Sequence, residues 1–195
     1  MNGFPPYATG CPVIIADGLK GTDEVLVPVE GEYVKEAKIG RALMDADILI
    51  SLTHFKGHTM GGFGGSNKNI GIGCADGRIG KKWIHTVEGS DNQWSIAEEE
   101  FMERMTESTK SVFDHFGDKI VYINVLRNMS VSCDCEGVAA EPVVTPNIGI
   151  VASTDILAVD QASVDLVYAL NEHDHHALVE RMETRHGLRQ LTYMK

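Results

Sequence analysis

The chain has 195 residues, of which 43% are hydrophobic, enough for one substantial core, and this predicts a single domain over residues 1–195. Its 28 acidic residues outnumber its 17 basic ones, and the formal net charge of -11 disfavours nucleic acid and anionic membrane as partners. No apolar run approaches the ~20 residues of a membrane span, and the first residues lack an export signal, so a cytoplasmic location is expected.

Short strands are predicted in the first part of the chain. Residues 11–17 and 25–29 have strand-like apolar runs, and residues 33–39 complete a plausible edge hairpin. Residues 40–45 suit a brief helix before the clearest strand, at 47–53, whose continuous apolar middle is typical of a strand covered on both faces. The residues that follow this strand are therefore expected at its carboxyl end, where open α/β sheets bind ligands.

Helices and strands alternate in the rest of the chain. Glycine is too dense in residues 57–80 for an ordinary helix, which predicts a loop that closely approaches another group. The later predicted elements are a helix at 94–116, strands at 119–126 and 147–152, a helix to residue 170 that Asp155 caps, and a charged helix at 173–185. The expected fold class is α/β, a layered mixed β-sheet flanked by helices.

Two histidines and a lysine directly follow the 47–53 strand. His54 and His58 are candidate metal ligands, because neutral imidazoles bind metal ions or move protons. Lys56 and His58 are also candidate catalytic residues, with Lys56 orienting substrate or acting as a base. Alternatively, one histidine caps an element and the other faces solvent.

A glycine-rich segment ends in a lysine and an asparagine. Backbone N–H groups near Gly62, Gly64 and Gly65 could converge on an anion, with Lys68 adding positive charge and Asn69 polarity. Phosphate or carboxylate would suit such a site. The segment matches neither a P-loop nor a dinucleotide-binding fingerprint, and an irregular structural turn is the alternative.

Two thiols and a carboxylate occur together at Cys133, Asp134 and Cys135. Sulfur ligands favour zinc, copper(I) or iron–sulfur units, and two cysteines would need further ligands such as His54, His58 or Cys74. Two small buried side chains beside an aspartate are the alternative. Asp160 lies one helical turn beyond the predicted cap and is a third candidate catalytic residue.

Three successive segments resemble a known family. They are Thr-His-Phe-Lys-Gly-His at 53–58, Gly-Phe-Gly-Gly at 62–65 followed by Lys68-Asn69, and Gly-Ile-Gly-Cys-Ala at 71–75. Together they resemble the domain of unknown function 362 family, whose members are often labelled iron–sulfur-centre proteins. The resemblance covers nearly the whole chain, continuing through residues 14–19, 122–124, 133–135, 148–155, 160–163 and 185–188.

The chain departs from that family in two ways. Many members carry a ferredoxin-like insert with cysteine-rich cluster motifs, where this chain passes from His85 to Trp94, so no intact ferredoxin-type cluster is implied. The family also usually has a further α/β portion before the stretch that resembles residues 11–19. A shortened or partial version of the domain is therefore expected, with an exposed edge that another copy or another chain covers.

Three functions remain open at this point. The first is a metal- and/or anion-binding protein with an enzymatic or redox-linked role, using zinc or iron and a small anionic ligand. The second is a scaffold that docks an iron–sulfur, ferredoxin-like partner, which an exposed apolar patch near residues 86–93 would favour. The third is a closed structural zinc site. The family has no assigned reaction, so whether the chain is an enzyme stays open.

Overall fold

The computed structural model describes residues 3–87, 89–90, 92 and 95–195, in which short strands alternate with helices. The strands are β1 (Glu24–Pro28), β2 (Glu36–Gly40), β3 (Leu49–His54), β4 (Lys56–His58), β5 (Gly62–Gly64), β6 (Ile120–Leu126) and β7 (Gly149–Ser153). The helices are α1 (Pro6–Thr9), α2 (Arg41–Met44), α3 (Ser66–Gly73), α4 (Gly80–His85), α5 (Glu98–Phe116), α6 (Ile156–Tyr168), α7 (Glu172–Thr184) and α8 (Arg189–Met194). The α/β class is confirmed.

The main sheet has the strand order β3-β6-β7, with β3 parallel and β7 antiparallel to β6, which confirms a mixed sheet. Alternate residues of β6 are buried, as its apolar alternation predicts. Ile120 and Tyr122 belong to a core cluster that also holds Val112 and Phe116 of α5. The helices therefore pack on the face of the sheet that carries these side chains.

The opposite face of this sheet is open. Ile50, Leu52 and Ile150 are 63%, 66% and 64% exposed, and they lie on the side of the sheet away from the core. The expectation that the 47–53 strand is covered on both faces is therefore wrong, because α3, α5 and α6 all pack against the same side. An apolar run alone does not distinguish a strand buried on both faces from one that is half open.

The amino-terminal region is partly as expected. The predicted edge hairpin is confirmed as the antiparallel pair β1 and β2. The strand expected at residues 11–17 is wrong, because this segment pairs with no described strand and Ile14 is mostly exposed. It ends in a turn instead, where the Asp17 carbonyl accepts hydrogen bonds from the N–H groups of Thr22 and Asp23.

The glycine-rich region 57–80 is more regular than the predicted loop. It contains the β4-β5 hairpin, α3 and the start of α4. Gly71 lies where α3 crosses α5, and a Cβ atom there would be 2.4 Å from the Met105 carbonyl oxygen. The glycine permits close packing of the two helices, which its helix propensity alone does not predict.

Candidate functional site

The β4-β5 hairpin carries the histidine–lysine motif and is fixed by packing. Phe55 stacks on Phe63 with ring centroids 5.5 Å apart, and both rings are fully buried. A Cβ atom at Gly57 would lie 2.2 Å from the carbonyl oxygen of Val131, so only glycine allows this approach. The motif thus lies directly against residues 130–139, which we call the cysteine loop.

His54 joins the end of β3 to the cysteine loop. Its Nδ1 is 3.0 Å from Asp134 Oδ1, and its Nε2 is 2.9 Å from the carbonyl oxygen of Arg127. The Nζ of Lys56 is 3.4 Å from the other Asp134 oxygen. Although partial burial opposes it, the charge of Lys56 and the hydrogen bond from His54 lower the pKa of Asp134. These three side chains form an ion-pair network in which both nitrogens of His54 are engaged.

His58 is held as a neutral ring. Its pKa is lowered to about 3, mainly by burial and in addition by the nearby charges of Lys68 and Lys56. Its Nδ1 accepts a hydrogen bond from the Gly61 N–H at 3.0 Å. A neutral imidazole whose Nδ1 accepts carries its proton on Nε2. His58 can therefore donate a hydrogen bond from Nε2 without carrying a charge.

The cysteine pair lies beside Lys68. The Sγ of Cys133 accepts from the Cys135 N–H at 3.3 Å and lies 4.0 Å from Lys68 Nζ. Burial lowers the pKa of Lys68, which the charge of Cys133 partly offsets, and burial raises the pKa of the Cys135 thiol. Glu136 accepts from the Cys133 N–H at 2.8 Å and from the Thr59 hydroxyl at 2.9 Å, which ties the loop to the hairpin.

The amides after the glycine-rich segment do hold an anion, but it is the protein's own Asp160. The N–H groups of Ser66 and Asn67 donate to its carboxylate at 2.7 and 2.9 Å, and Asn124 Nδ2 donates at 2.8 Å. A Cβ atom at Gly65 would lie 2.4 Å from Asp160 Oδ1. Burial raises the pKa of Asp160, whereas the three donors oppose that rise. Asp160, a candidate catalytic residue, is therefore buried, and its hydrogen bonds connect α6 to α3 and β6.

The remaining predicted anion-binding residues are also used within the fold. Gly62 adopts a positive φ of 72° in the hairpin turn. A Cβ atom at Gly64 would lie 3.2 Å from Lys56 Nζ, so this glycine leaves room for the lysine. Asn69 Nδ2 donates to the Thr53 hydroxyl at 2.9 Å. Their hydrogen bonding and packing connect α3 and the hairpin to β3.

The predicted metal ligands do not come together as one coordination group. In the described part of the chain, no group of three or more His, Cys, Asp or Glu side chains could hold a metal ion. His54 directs both nitrogens at oxygen atoms. Cys74 packs against a core cluster, and burial raises its pKa to about 12. The metal site predicted from His54, His58, Cys133 and Cys135, with Cys74 or Asp134 as further ligands, stays a prediction that metal analysis of the isolated protein can test.

Basic side chains line a cavity of about 630 Å³ next to the cysteine loop, which we call the basic cavity. Its lining comes from the β4-β5 hairpin, α3, α4 and the cysteine loop: His58, Thr59, Met60, Lys68, Ile72, Gly77, Arg78, Lys81, Lys82, His85 and Cys135. No Asp or Glu is present in this lining among the residues that the structure describes. Lys68, His58 and Cys135 are the sequence-predicted site residues that face it.

The basic residues in α4 and just before it were not predicted as site residues from the sequence. Lys81, Lys82 and His85 belong to α4, and Arg78 lies in the turn just before it, so four basic residues fall within a short stretch of the chain. A cluster of basic residues in a chain with net charge -11 is the sequence signal that could have identified this part of the cavity. Burial lowers the pKa of His85. The positive charge of this wall therefore comes from the arginine and the two lysines.

A second cavity, of about 640 Å³, has the opposite charge, and we call it the acidic cavity. Glu107 on its wall accepts the N–H groups of Glu32, Tyr33 and Val34 at 2.5, 3.0 and 2.6 Å. It also accepts from the Tyr193 hydroxyl at 2.7 Å. The carboxylate therefore closes the loop between β1 and β2 onto α5 and α8.

The patch predicted near residues 86–93 falls partly outside the described residues. Val87 within this segment and Trp83 just before it are partly exposed. Docking of an iron–sulfur partner there stays a prediction.

Comparisons with known proteins place the chain in a family without assigning an activity. No curated protein matches it. In the described residues, no helix combines the length and apolar character that crossing a bilayer requires. The model of the domain of unknown function DUF362 matches residues 1–165. That match spans most of the chain, and the protein therefore belongs to the DUF362 family.

Proposed function

We propose that the chain binds a small anionic ligand in the basic cavity and acts on it in an enzymatic or redox-linked step. The charge of the lining carries this proposal. Lys68, Arg78, Lys81 and Lys82 line the cavity, and none of them forms an ion pair within the described part of the chain. Cations without acidic partners stabilise an anion that enters, which supports phosphate or carboxylate as the ligand chemistry.

His58 and Lys68, which both line this cavity, supply different interactions to a ligand. Lys68 offers an ammonium group on a side chain that emerges from α3. His58 offers a neutral Nε2–H, because Gly61 holds its other nitrogen as an acceptor. A neutral imidazole can stabilise charge that develops on a substrate oxygen without first attracting a counter-ion. The pair supports orientation of an anionic group with a hydrogen bond to a reacting oxygen.

The proposed enzymatic or redox-linked step is assigned to the cysteine pair Cys133 and Cys135. Cys135 lines the cavity, and Cys133 lies behind it with only 2% of its surface exposed. The Cys133 sulfur is approached by the Lys68 ammonium and by a backbone N–H. Thiolates act as nucleophiles and in thiol–disulfide exchange, and the Lys68 charge opposes the rise that burial causes in the pKa of Cys135. Lys56 contributes indirectly, since its ion pair with Asp134 positions the cysteine loop.

Anion binding can be tested by calorimetric titration with inorganic phosphate at low ionic strength. We expect Lys68→Met to weaken phosphate binding by about tenfold or more, the loss of one charge-assisted contact. Lys110→Met is the matched control, because Lys110 lies in the acidic cavity and pairs with Asp114. Absence of binding to the wild type, or an equal loss in both variants, would contradict the proposal.

The role of the thiols can be tested separately by alkylation with iodoacetamide. Cys135 is exposed and lines the cavity, whereas Cys11 is exposed in the amino-terminal segment. We expect saturating phosphate to slow alkylation of Cys135 severalfold and to leave Cys11 unchanged, as peptide mass spectrometry would show. An unchanged rate at Cys135 would separate the thiols from the ligand site.

A further inference from the structure

One wall of the basic cavity is formed by α4 and the turn before it, and we call it the α4 wall. It carries positive charge that the fold does not neutralise. Arg78, in the turn before α4, and Lys81 and Lys82 of α4 line the same cavity, where their like charges repel one another. None of the three has an acidic partner in the described residues. An anion that binds to this cluster is attracted by all three charges.

The nearest carboxylate in sequence is already occupied by the backbone. Asp76 is 1% exposed and accepts the N–H groups of Arg78, Ile79 and Gly80 at 3.0, 2.9 and 2.5 Å. It shapes the turn that leads into α4. Its hydrogen bonds are directed at the main chain, so the side-chain charges of this wall remain available to a ligand.

Lys68 gives the cavity a second cationic wall. It projects from α3 rather than α4 and lies beside the cysteine pair. Lys56 is close to it but pairs with Asp134. Positive charge therefore faces the cavity from two different elements, α3 and α4, with the apolar side chains of Met60 and Ile72 also in the lining.

We infer that the ligand of the basic cavity is a small organic molecule that carries at least two phosphoryl groups. The inference rests on the proposed function and specifies its substrate class. A phosphoryl group carries about −1.5 to −2 charges at neutral pH, so one group leaves roughly half of the four lining cations unmatched, and two groups match them. Arg78 adds a guanidinium fork, which suits bidentate contact with phosphoryl oxygens.

The size and remaining lining of the cavity agree with an organic diphosphate. A volume of about 630 Å³ lies within the range of small-molecule sites, roughly 300 to 1,000 Å³. Met60 and Ile72 provide apolar surface for the carbon skeleton. Such a ligand would place one phosphoryl group on the α4 wall and a second group beside Lys68, near Cys135.

The test is calorimetric titration at low ionic strength with three probes: inorganic phosphate, pyrophosphate and citrate. Each is titrated into the wild type, Lys68→Met, the double variant Lys81→Met with Lys82→Met, and the control Lys110→Met. We expect pyrophosphate to bind the wild type at least tenfold more tightly than phosphate and citrate do. The double variant should lose at least tenfold in pyrophosphate affinity but less than threefold in phosphate affinity, because Lys68 still binds a single group. Thermal unfolding by circular dichroism checks that every variant is folded.

The outcomes separate this inference from the proposed function. If phosphate binds and depends on Lys68, but pyrophosphate binds no more tightly, the proposed function stands and the diphosphate inference is overturned. Citrate binding as tightly as pyrophosphate would also overturn it, in favour of a polycarboxylate. If none of the probes binds the wild type, both fail.

Discussion

The two cavities of this molecule are almost equal in volume, at about 640 and 630 Å³, and opposite in charge. Charges in the acidic cavity are largely committed to the fold. Glu107 accepts three backbone N–H groups and a tyrosine hydroxyl, Asp155 caps α6, and Asp114 pairs with Lys110. A cavity lined by charge is therefore not by itself a binding site.

The basic cavity differs because its charges lack internal partners. Arg78, Lys81 and Lys82 form no ion pair in the part of the chain that the structure describes. Lys68 Nζ lies 4.0 Å from the sulfur of Cys133 and forms no ion pair in the described residues. The contrast shows that the satisfaction of each charge, rather than its sign, separates a structural cavity from a candidate ligand site.

The largest expected effect is on the free energy of unfolding, for a residue of the acidic cavity. Glu107→Leu should lower the free energy of unfolding by about 3 kcal/mol, because three backbone N–H groups lose their acceptor at about 1 kcal/mol each. Phosphate affinity should not change. Urea unfolding would measure the loss, and Lys68→Met, whose charge the fold does not use, should lose less than about 1 kcal/mol. A comparable loss in both variants would erase the distinction between the cavities.

The next effect concerns His58 and pH. Its pKa of about 3 in the folded state lies below its ordinary value of 6.5, so the unfolded chain binds the extra proton first. His58 therefore favours folding above pH 6.5, and that contribution is lost as the pH falls toward 3. Between pH 6.5 and 5 the loss is roughly 1.6 kcal/mol, because the slope rises from about 0.7 kcal/mol per pH unit at pH 6.5, where the unfolded histidine is half protonated, toward about 1.4 kcal/mol per pH unit at pH 5.

Urea unfolding across that pH range tests this expectation. His58→Gln should lose less stability on acidification than the wild type does. His176→Gln is the control, since His176 is exposed on α7 and its removal should leave the pH slope unchanged. Parallel slopes in the wild type and His58→Gln would show that His58 is not held neutral.

The smallest effect compares the two sets of charges directly. Lys81→Met with Lys82→Met should leave stability unchanged or raise it by about 0.5 kcal/mol at low salt, because like charges no longer repel. Asp114→Asn should lower stability by about 0.3 to 0.5 kcal/mol, since its i, i+4 pair with Lys110 is lost. Opposite signs in thermal unfolding would sharpen the comparison, and a destabilised lysine variant would indicate that those cations have internal partners.

Local signals predicted much of the fold. Apolar periodicity and capping chemistry predicted the edge hairpin, a helix at 94–116 and the Asp155 cap, and the structure has the hairpin, the cap and a helix at Glu98–Phe116. The helix α3 was missed because its glycines lower helix propensity, whereas packing against α5 requires Gly71. The strand expected at residues 11–17 failed because a strand needs a pairing partner, which apolar composition does not supply.

The sequence by itself determined which side chains follow β3, the thiol pair, the basic spacing in α4 and the acidic balance of the chain, because these are properties of composition and local order. Only the tertiary structure decided which of them meet. Asp134 reaches His54 across 80 residues, and Asp160 fills the amides after Gly65 across more than 90. The physical reason is that a carboxylate, an amide or a lysine can satisfy many partners, and chain packing selects one. Packing placed the Asp160 carboxyl group at the amides of the glycine-rich segment and left the cations of α4 in the lining of the same cavity as Lys68.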